Sequence, residues 1–204
     1  MPTSKSSRRW LREHFSDPYV KQAKQMGFRS RAIYKLLEIQ ERDKLFKPGM
    51  TVIDLGAAPG GWSQLVANLV GKQGQVFAID ILPMAPLPGV KFILGDFTQA
   101  EVVEELLKRL GEAKADWVIS DMAPNMSGVD SVDQSRSLAL AELAFDLAQH
   151  VLHKQGGLLV KVFQGEGFDA FLRMLRHYFK KVIIRKPKAS KNRSREVYLL
   201  ARMA

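Results

Sequence analysis

An α/β fold is predicted, with a mainly parallel seven-stranded sheet, an antiparallel last strand and helices on both faces. Three observations predict it. From residue 30 onward, short apolar runs alternate with longer amphipathic segments. Those runs are continuously apolar, as in strands buried on both faces, rather than alternating. The last two, residues 181–185 and 197–201, have no helix between them. Their connection falls short of the dozen or so residues a parallel crossover needs, which makes them adjacent and antiparallel.

The elements follow in order. Ser30 suits an N-cap, and Ile33, Leu36, Leu37 and Gln40 share a face, predicting a helix that ends before the turn Lys47-Pro48-Gly49. Lys35, two positions from both Ile33 and Leu37, projects off the apolar stripe. Residues 50–55 read as a strand and 61–70 as a helix. A strand at 75–79 leads into the Pro-rich loop 82–88, and 90–94 is again a strand. The helix over 99–110 turns Val102, Val103, Leu106, Leu107 and Leu110 inward, ahead of a strand at 115–120. A long helix at 134–152, a strand at 157–163 and a helix at 168–178 precede the final pair. Residues 1–29 form a basic N-terminal arm and 30–204 a single domain.

Composition bounds the function. Of 204 residues, 46% are hydrophobic, enough for a core, and no apolar run approaches the ~18 residues of a membrane span. A soluble protein is expected, with no membrane partner. Cysteine is absent, which excludes disulfides, thiolate nucleophiles and Cys-ligated metals and fits a reducing, cytoplasmic setting. The net charge is +10 and unevenly spread. Residues 1–31 carry eight Lys/Arg against two acids, and residues 176–204 carry ten against Glu196 alone. The middle is net acidic, so two basic ends flank it, as suits a polyanion held against a central site. The first fifteen residues lack the apolar stretch of a secretory signal.

The stretch Asp54-Leu55-Gly56-Ala57-Ala58-Pro59-Gly60-Gly61-Trp62 joins the first strand to its helix. Glycines there admit a ligand close to backbone, and the helix start offers free N–H groups. The spacing is neither a dinucleotide fingerprint nor a phosphate loop. Asp80 ends the second strand, where an acid accepts from ribose hydroxyls. Asp96 ends the third, within reach of an adenine amino group. An adenosine ligand without a pyrophosphate fits, and S-adenosylmethionine is the candidate. Asp121, in Ser120-Asp121-Met122-Ala123-Pro124-Asn125, ends the fourth strand on the same rim, with Pro124 keeping the backbone extended. Lys161 lies in the apolar run Leu158-Leu159-Val160-Lys161-Val162-Phe163, and a buried lysine needs a partner. Glu196, the only acid in the last 29 residues, opens the last strand.

Together these stretches, with Ser30-Arg31-Ala32-Ile33-Tyr34-Lys35-Leu36, Lys186-Pro187-Lys188-Ala189-Ser190 and Ser194-Arg195-Glu196-Val197-Tyr198, resemble the FtsJ/RrmJ family of ribose 2′-O-methyltransferases. The resemblance implies a Rossmann-like S-adenosylmethionine-dependent fold and a catalytic tetrad of Lys35, Asp121, Lys161 and Glu196. It implies cofactor contacts from Asp54, Gly56, Ala57, Pro59, Gly60, Gly61 and Trp62, from Asp80 and Ile81, from Asp96 and Phe97, and from Asp121. No metal is implied. The implied substrate is a uridine ribose in 23S rRNA of the large ribosomal subunit, met by a monomer. RNA phosphates are expected on Arg8, Arg9, Arg12, Lys21, Lys24, Arg29 and Arg31 at one end, and on Lys186, Lys188, Lys191 and Arg193 at the other. Trp10 and Phe15 suit base stacking or anchoring of the arm. Two roles for Lys161 stay open, a neutral base for the hydroxyl or a charged group that orients it. Rivals are a methyltransferase of another RNA (tRNA or capped mRNA), a small-molecule O-methyltransferase, and a noncatalytic ribosome-assembly factor with this fold.

Overall fold

Asp17 caps a helix: its carboxylate accepts from the Tyr19 N–H at 2.9 Å, and Pro18 takes the first helical position. The computed structural model describes residues 17–190 and 194–203. This helix, α1 (Pro18–Gln25), buries only Ala23, too little apolar surface for periodicity to mark it. Helix α2 (Ile33–Asp43) starts later than a Ser30 cap implies, with Ala32 at the N-cap and no side-chain cap. It buries Ile33, Leu36 and Ile39, while Gln40 closes the following turn through both backbone groups of Phe46, at 2.9 and 3.1 Å. The far end of α2 is fastened by Asp43, which takes the Arg185 guanidinium at 2.5 Å.

The remaining elements are β1 (Thr51–Leu55), α3 (Gly61–Val70), β2 (Gln75–Asp80), β3 (Val90–Leu94), α4 (Ala100–Leu110) and β4 (Ala115–Ser120). They continue with α5 (Asp130–Val151), β5 (Leu152–Phe163), α6 (Phe168–Tyr178), β6 (Lys181–Arg185) and β7 (Glu196–Arg202). The sheet order is β3-β2-β1-β4-β5-β7-β6. Neighbours from β3 through β5 are parallel, and β7 runs antiparallel between β5 and β6. The chain winds outward from β1 to β3 and then returns to β4 on the other side of β1. That reversal opens a crevice at the carboxyl ends of β1 and β4.

Two elements start earlier than the apolar pattern indicates. Helix α5 begins at Asp130 because its first turn exposes Asp130 and Val132 and is held by the buried carboxylate of Asp133 rather than by an apolar stripe. Asp133 there accepts from Ser127 and Gly128, and Val132 is exposed. Strand β5 begins at Leu152, with a register irregularity before regular pairing resumes at Gly157. On α4, Leu106 and Leu110 are buried, but Leu107 is 41% exposed and does not point inward.

Alternation along the strands divides the core into two clusters. One packs Ile53, Leu55, Leu158, Val160, Val162, Val197 and Leu199 against α4, α5 and α6. The other packs Val52, Leu159, Tyr198 and Leu200 against α2 and α3. Each large side chain fully buried in this way contributes about 1.5–3 kcal/mol. With a period of two, Asp54, Lys161 and Glu196 fall on the face of the second cluster, where α2 presents Lys35.

Candidate active site

The register Ser120↔Val160 between β4 and β5 sets Asp121 beside Lys161. Lys161 is 5% exposed, and its Nζ lies 2.9 Å from Asp121 Oδ1 and 2.5 Å from the Asp121 carbonyl oxygen. Lys35 Nζ reaches Glu196 Oε1 at 2.8 Å and Asp121 Oδ1 at 3.6 Å. The four residues singled out in sequence therefore form one alternating array of charge. Two further side chains complete it. The Tyr198 hydroxyl donates to Asp121 Oδ1 at 2.6 Å and lies 3.3 Å from Glu196 Oε1, and the Ser190 hydroxyl donates to Glu196 Oε1 at 2.7 Å. Burial alone would raise the Asp121 carboxyl. Lys161, then Lys35, with the hydrogen bonds from Tyr198 and Lys161, reverse that and hold it below the usual carboxylate range. Burial, with Asp121 and Glu196 nearby, pushes the Tyr198 hydroxyl well above its ordinary value, so it stays a donor.

Asp121 also borders two cavities that share Gly56 and Ala58. The larger, about 510 Å³, is lined by Asp80, Ile81, Asp96 and Phe97; the smaller, about 140 Å³, by Asp54, Ala57, Pro59, Gly61 and Trp62. Asp54 is 1% exposed and accepts from the Ser63 hydroxyl at 2.6 Å. Burial pushes its carboxyl up to about 7 despite that bond, with Asp121 and Asp80 adding to the rise. Both Asp80 oxygens accept backbone N–H groups, Oδ2 from Ala58 and Oδ1 from Leu82, each at 2.8 Å. Asp96 Oδ1 accepts from the Thr98 N–H and hydroxyl at 2.9 and 2.8 Å. Gly56 has φ +69, and a Cβ there would stand 2.2 Å from Met122 Cγ. Gly61 lies close to Ser30, where a Cβ would stand 2.3 Å from the Ser30 Oγ and turn that hydroxyl aside. Trp62 is a buried tie whose Nε1 donates to the Ala32 carbonyl at 2.9 Å. Among the described residues, no group of three His, Asp or Glu side chains is placed to hold a metal.

A family model described as FtsJ-like methyltransferase matches residues 28–204. The chain belongs to the FtsJ-like methyltransferase family. It is 58% identical to a ribosomal RNA large subunit methyltransferase E of Pseudomonas paraeruginosa, over 99% of this chain and 98% of that protein. A crystal structure described as a ribosomal RNA methyltransferase of Plasmodium falciparum matches with a TM-score of 0.76 at 27% identity, covering 86% of this chain and 97% of that one.

In this FtsJ-like methyltransferase the basic residues fall into three groups. Arg8, Arg9, Arg12, Lys191 and Arg193 lie outside the described residues, as do Trp10 and Phe15. Lys21 and Lys24 on α1, and Lys188 before β7, are exposed. Arg29, Arg31 and Lys186 spend donors on the protein's own acceptors, Lys186 while remaining exposed. Arg29 binds the carbonyls of Pro59, Ala85 and Pro86. Arg31 pairs with Asp17 at 2.7 Å and bonds the Ala189 carbonyl, and Lys186 bonds the carbonyls of Ser194 and Glu196. Sequence reasoning missed Tyr198, Ser190 and Ser63. Tyr198 carried one usable signal: it stands two residues after Glu196 in a strand, hence on the same face.

Proposed function

We propose that this chain transfers a methyl group from S-adenosylmethionine to the 2′-hydroxyl of a uridine ribose in 23S rRNA of the large ribosomal subunit. The observation that carries the proposal is the buried Lys161–Asp121 pair, flanked by Lys35 and Glu196 and open through Asp121 to both cavities. The 58% identical relative, named for ribosomal RNA large subunit methylation, supports the choice of substrate.

The residues present fit the methyl donor. The larger cavity suits its adenosine, with Asp80 accepting from the ribose hydroxyls through lone pairs left over from its backbone bonds, and Asp96 accepting from the adenine amino group. The smaller suits its amino-acid end, where Asp54 answers an ammonium. Gly56 borders both cavities, Ala57, Pro59, Gly61 and Trp62 line the smaller, and Gly60 shapes the turn beside it; Ile81 and Phe97 cover the base. When bound, the donor supplies a sulfonium methyl open to in-line attack by an oxygen. Lys161 binds the attacking hydroxyl and orients it; as the oxygen–methyl bond forms and the methyl–sulfur bond breaks, the hydroxyl proton is released to water, while Asp121 fixes Lys161 and offsets the sulfonium charge. Lys35 and Glu196 hold each other and position the ribose.

Residues 1–29 serve as the RNA-binding arm and 30–204 as the methyltransferase domain of a cytoplasmic monomer. Lys21, Lys24 and Lys188 neutralise phosphates together with the basic residues outside the described segments. Among the described residues no helix is long and apolar enough to cross a membrane. Incubation with labelled donor and large subunits, naked rRNA, tRNA, capped RNA or catechols tests the proposal. Label is expected on a ribose of large-subunit rRNA. Label confined to tRNA, capped RNA or catechols, or none at all, would overturn it.

A further inference from the structure

Arg29 lies in the segment assigned to RNA by its charge, yet its guanidinium is engaged between two loops. Nη1 donates to the carbonyls of Pro59 at 3.2 Å and Ala85 at 2.6 Å, and Nη2 to that of Pro86 at 2.7 Å. Pro59 belongs to the turn between β1 and α3, whereas Ala85 and Pro86 belong to the loop after β2. Each segment walls a cavity assigned to the methyl donor. Pro59 lines the smaller, and Ile81 and Leu82, at the start of the second loop, line the larger. Gly60 lets them close on each other. A Cβ there would lie 2.6 Å from Met84 Sδ, 2.9 Å from Leu87 Cδ1 and 3.2 Å from Arg29 Nη1. The backbone of Arg29 is itself fastened to α3. Its N–H donates to Gln64 Oε1 at 3.2 Å, and Gln64 Nε2 donates to the Gly27 carbonyl at 3.0 Å.

We propose that Arg29 is a positioning residue for the methyl donor, a strap that holds the glycine turn against the Pro-rich loop and so sets the width of the cleft. The inference rests on the methyl-donor reading above. A guanidinium can serve this role because its donors are arranged in a rigid planar fork and reach carbonyls on two segments at once. A lysine ammonium is a point donor on a flexible stem and does not reproduce that span. With both Nη1 hydrogens and one of the two on Nη2 held by carbonyls, the guanidinium is fixed against the two loops, whereas its neighbour Lys24 is exposed.

The test compares the wild type, Arg29→Ala, Arg29→Lys and Lys24→Ala in two titrations. One is calorimetric, with S-adenosylhomocysteine. The other measures rRNA affinity across a range of salt concentrations. Arg29→Ala is expected to weaken S-adenosylhomocysteine binding by about tenfold, the loss of charge-assisted hydrogen bonds. Arg29→Lys should recover little of it, while millimolar methylguanidinium added to Arg29→Ala restores it in part. A defect of folding alone would not respond to that additive. The salt slope of RNA binding should stay at the wild-type value in Arg29→Ala and fall by about 0.7–0.9 in Lys24→Ala. Wild-type affinity for S-adenosylhomocysteine in Arg29→Ala or in Arg29→Lys would overturn the strap, as would weakened binding that methylguanidinium leaves unchanged. A wild-type protein that binds no S-adenosylhomocysteine would instead defeat the methyl-donor reading.

Discussion

Lys161 was legible as a candidate because a cation between Val160 and Val162 has no cheap explanation. The structure supplies the compensating anion at 2.9 Å. Tyr198 was not legible, because an aromatic residue in an apolar strand reads as core, and most of its ring is core, 5.7 Å from that of Trp62. Only its hydroxyl belongs to the charged array, and no pattern of hydrophobicity reports a hydroxyl's direction. Asp80 has a double task, holding the N–H groups of Ala58 and Leu82 while facing the larger cavity. Asp80→Ala is therefore expected to weaken S-adenosylmethionine binding by about tenfold or more, through lost ligand hydrogen bonds and a loosened turn. Equilibrium titration checks this, and an unchanged dissociation constant would remove Asp80 from the ligand's ribose.

At the level of elements, most strands and helices were readable from period and punctuation, and the exceptions share a physical cause. Helix α1 and the first turn of α5 bury little apolar surface, so their stability comes from Asp17 and from the contacts of Asp133 with Ser127 and Gly128. The turn between β1 and α3 is the opposite case, where glycine is demanded by geometry. Gly56 combines φ +69 with the 2.2 Å approach of Met122 Cγ. Gly56→Ala should cost about 1–3 kcal/mol of stability from backbone strain, with more from the displaced Met122, and it should narrow the passage between the two cavities. Chemical denaturation measures the first effect and donor titration the second. Midpoints equal to wild type would show that the turn relaxes freely.

Across the whole molecule, the charge asymmetry separates basic ends from an acidic middle but does not say which cations are already bound to the protein's own acceptors. Arg29, Arg31 and Lys186 are spent on carbonyls and Asp17, geometry that net charge does not encode. Global stability should also carry the mark of Asp54. Its carboxyl titrates near 3.8 when unfolded and is raised to about 7 in the fold, so the native state holds a proton that the unfolded chain releases across that interval. Stability from this group is full below about pH 4 and is lost as pH rises through 7. Asp121, held low, acts in the opposite sense, losing its contribution as pH falls through its lowered value. Asp54→Asn should therefore flatten the decline between about pH 4 and 7, as followed by urea unfolding. An identical pH profile in that variant would place the titration elsewhere. The most direct measurement is methyl transfer from labelled donor to large ribosomal subunits by wild type and Lys161→Ala, with donor affinity measured alongside. Wild type should label a ribose, and Lys161→Ala should bind the donor normally yet transfer nothing. Turnover by Lys161→Ala equal to wild type would contradict the central role of that buried ammonium.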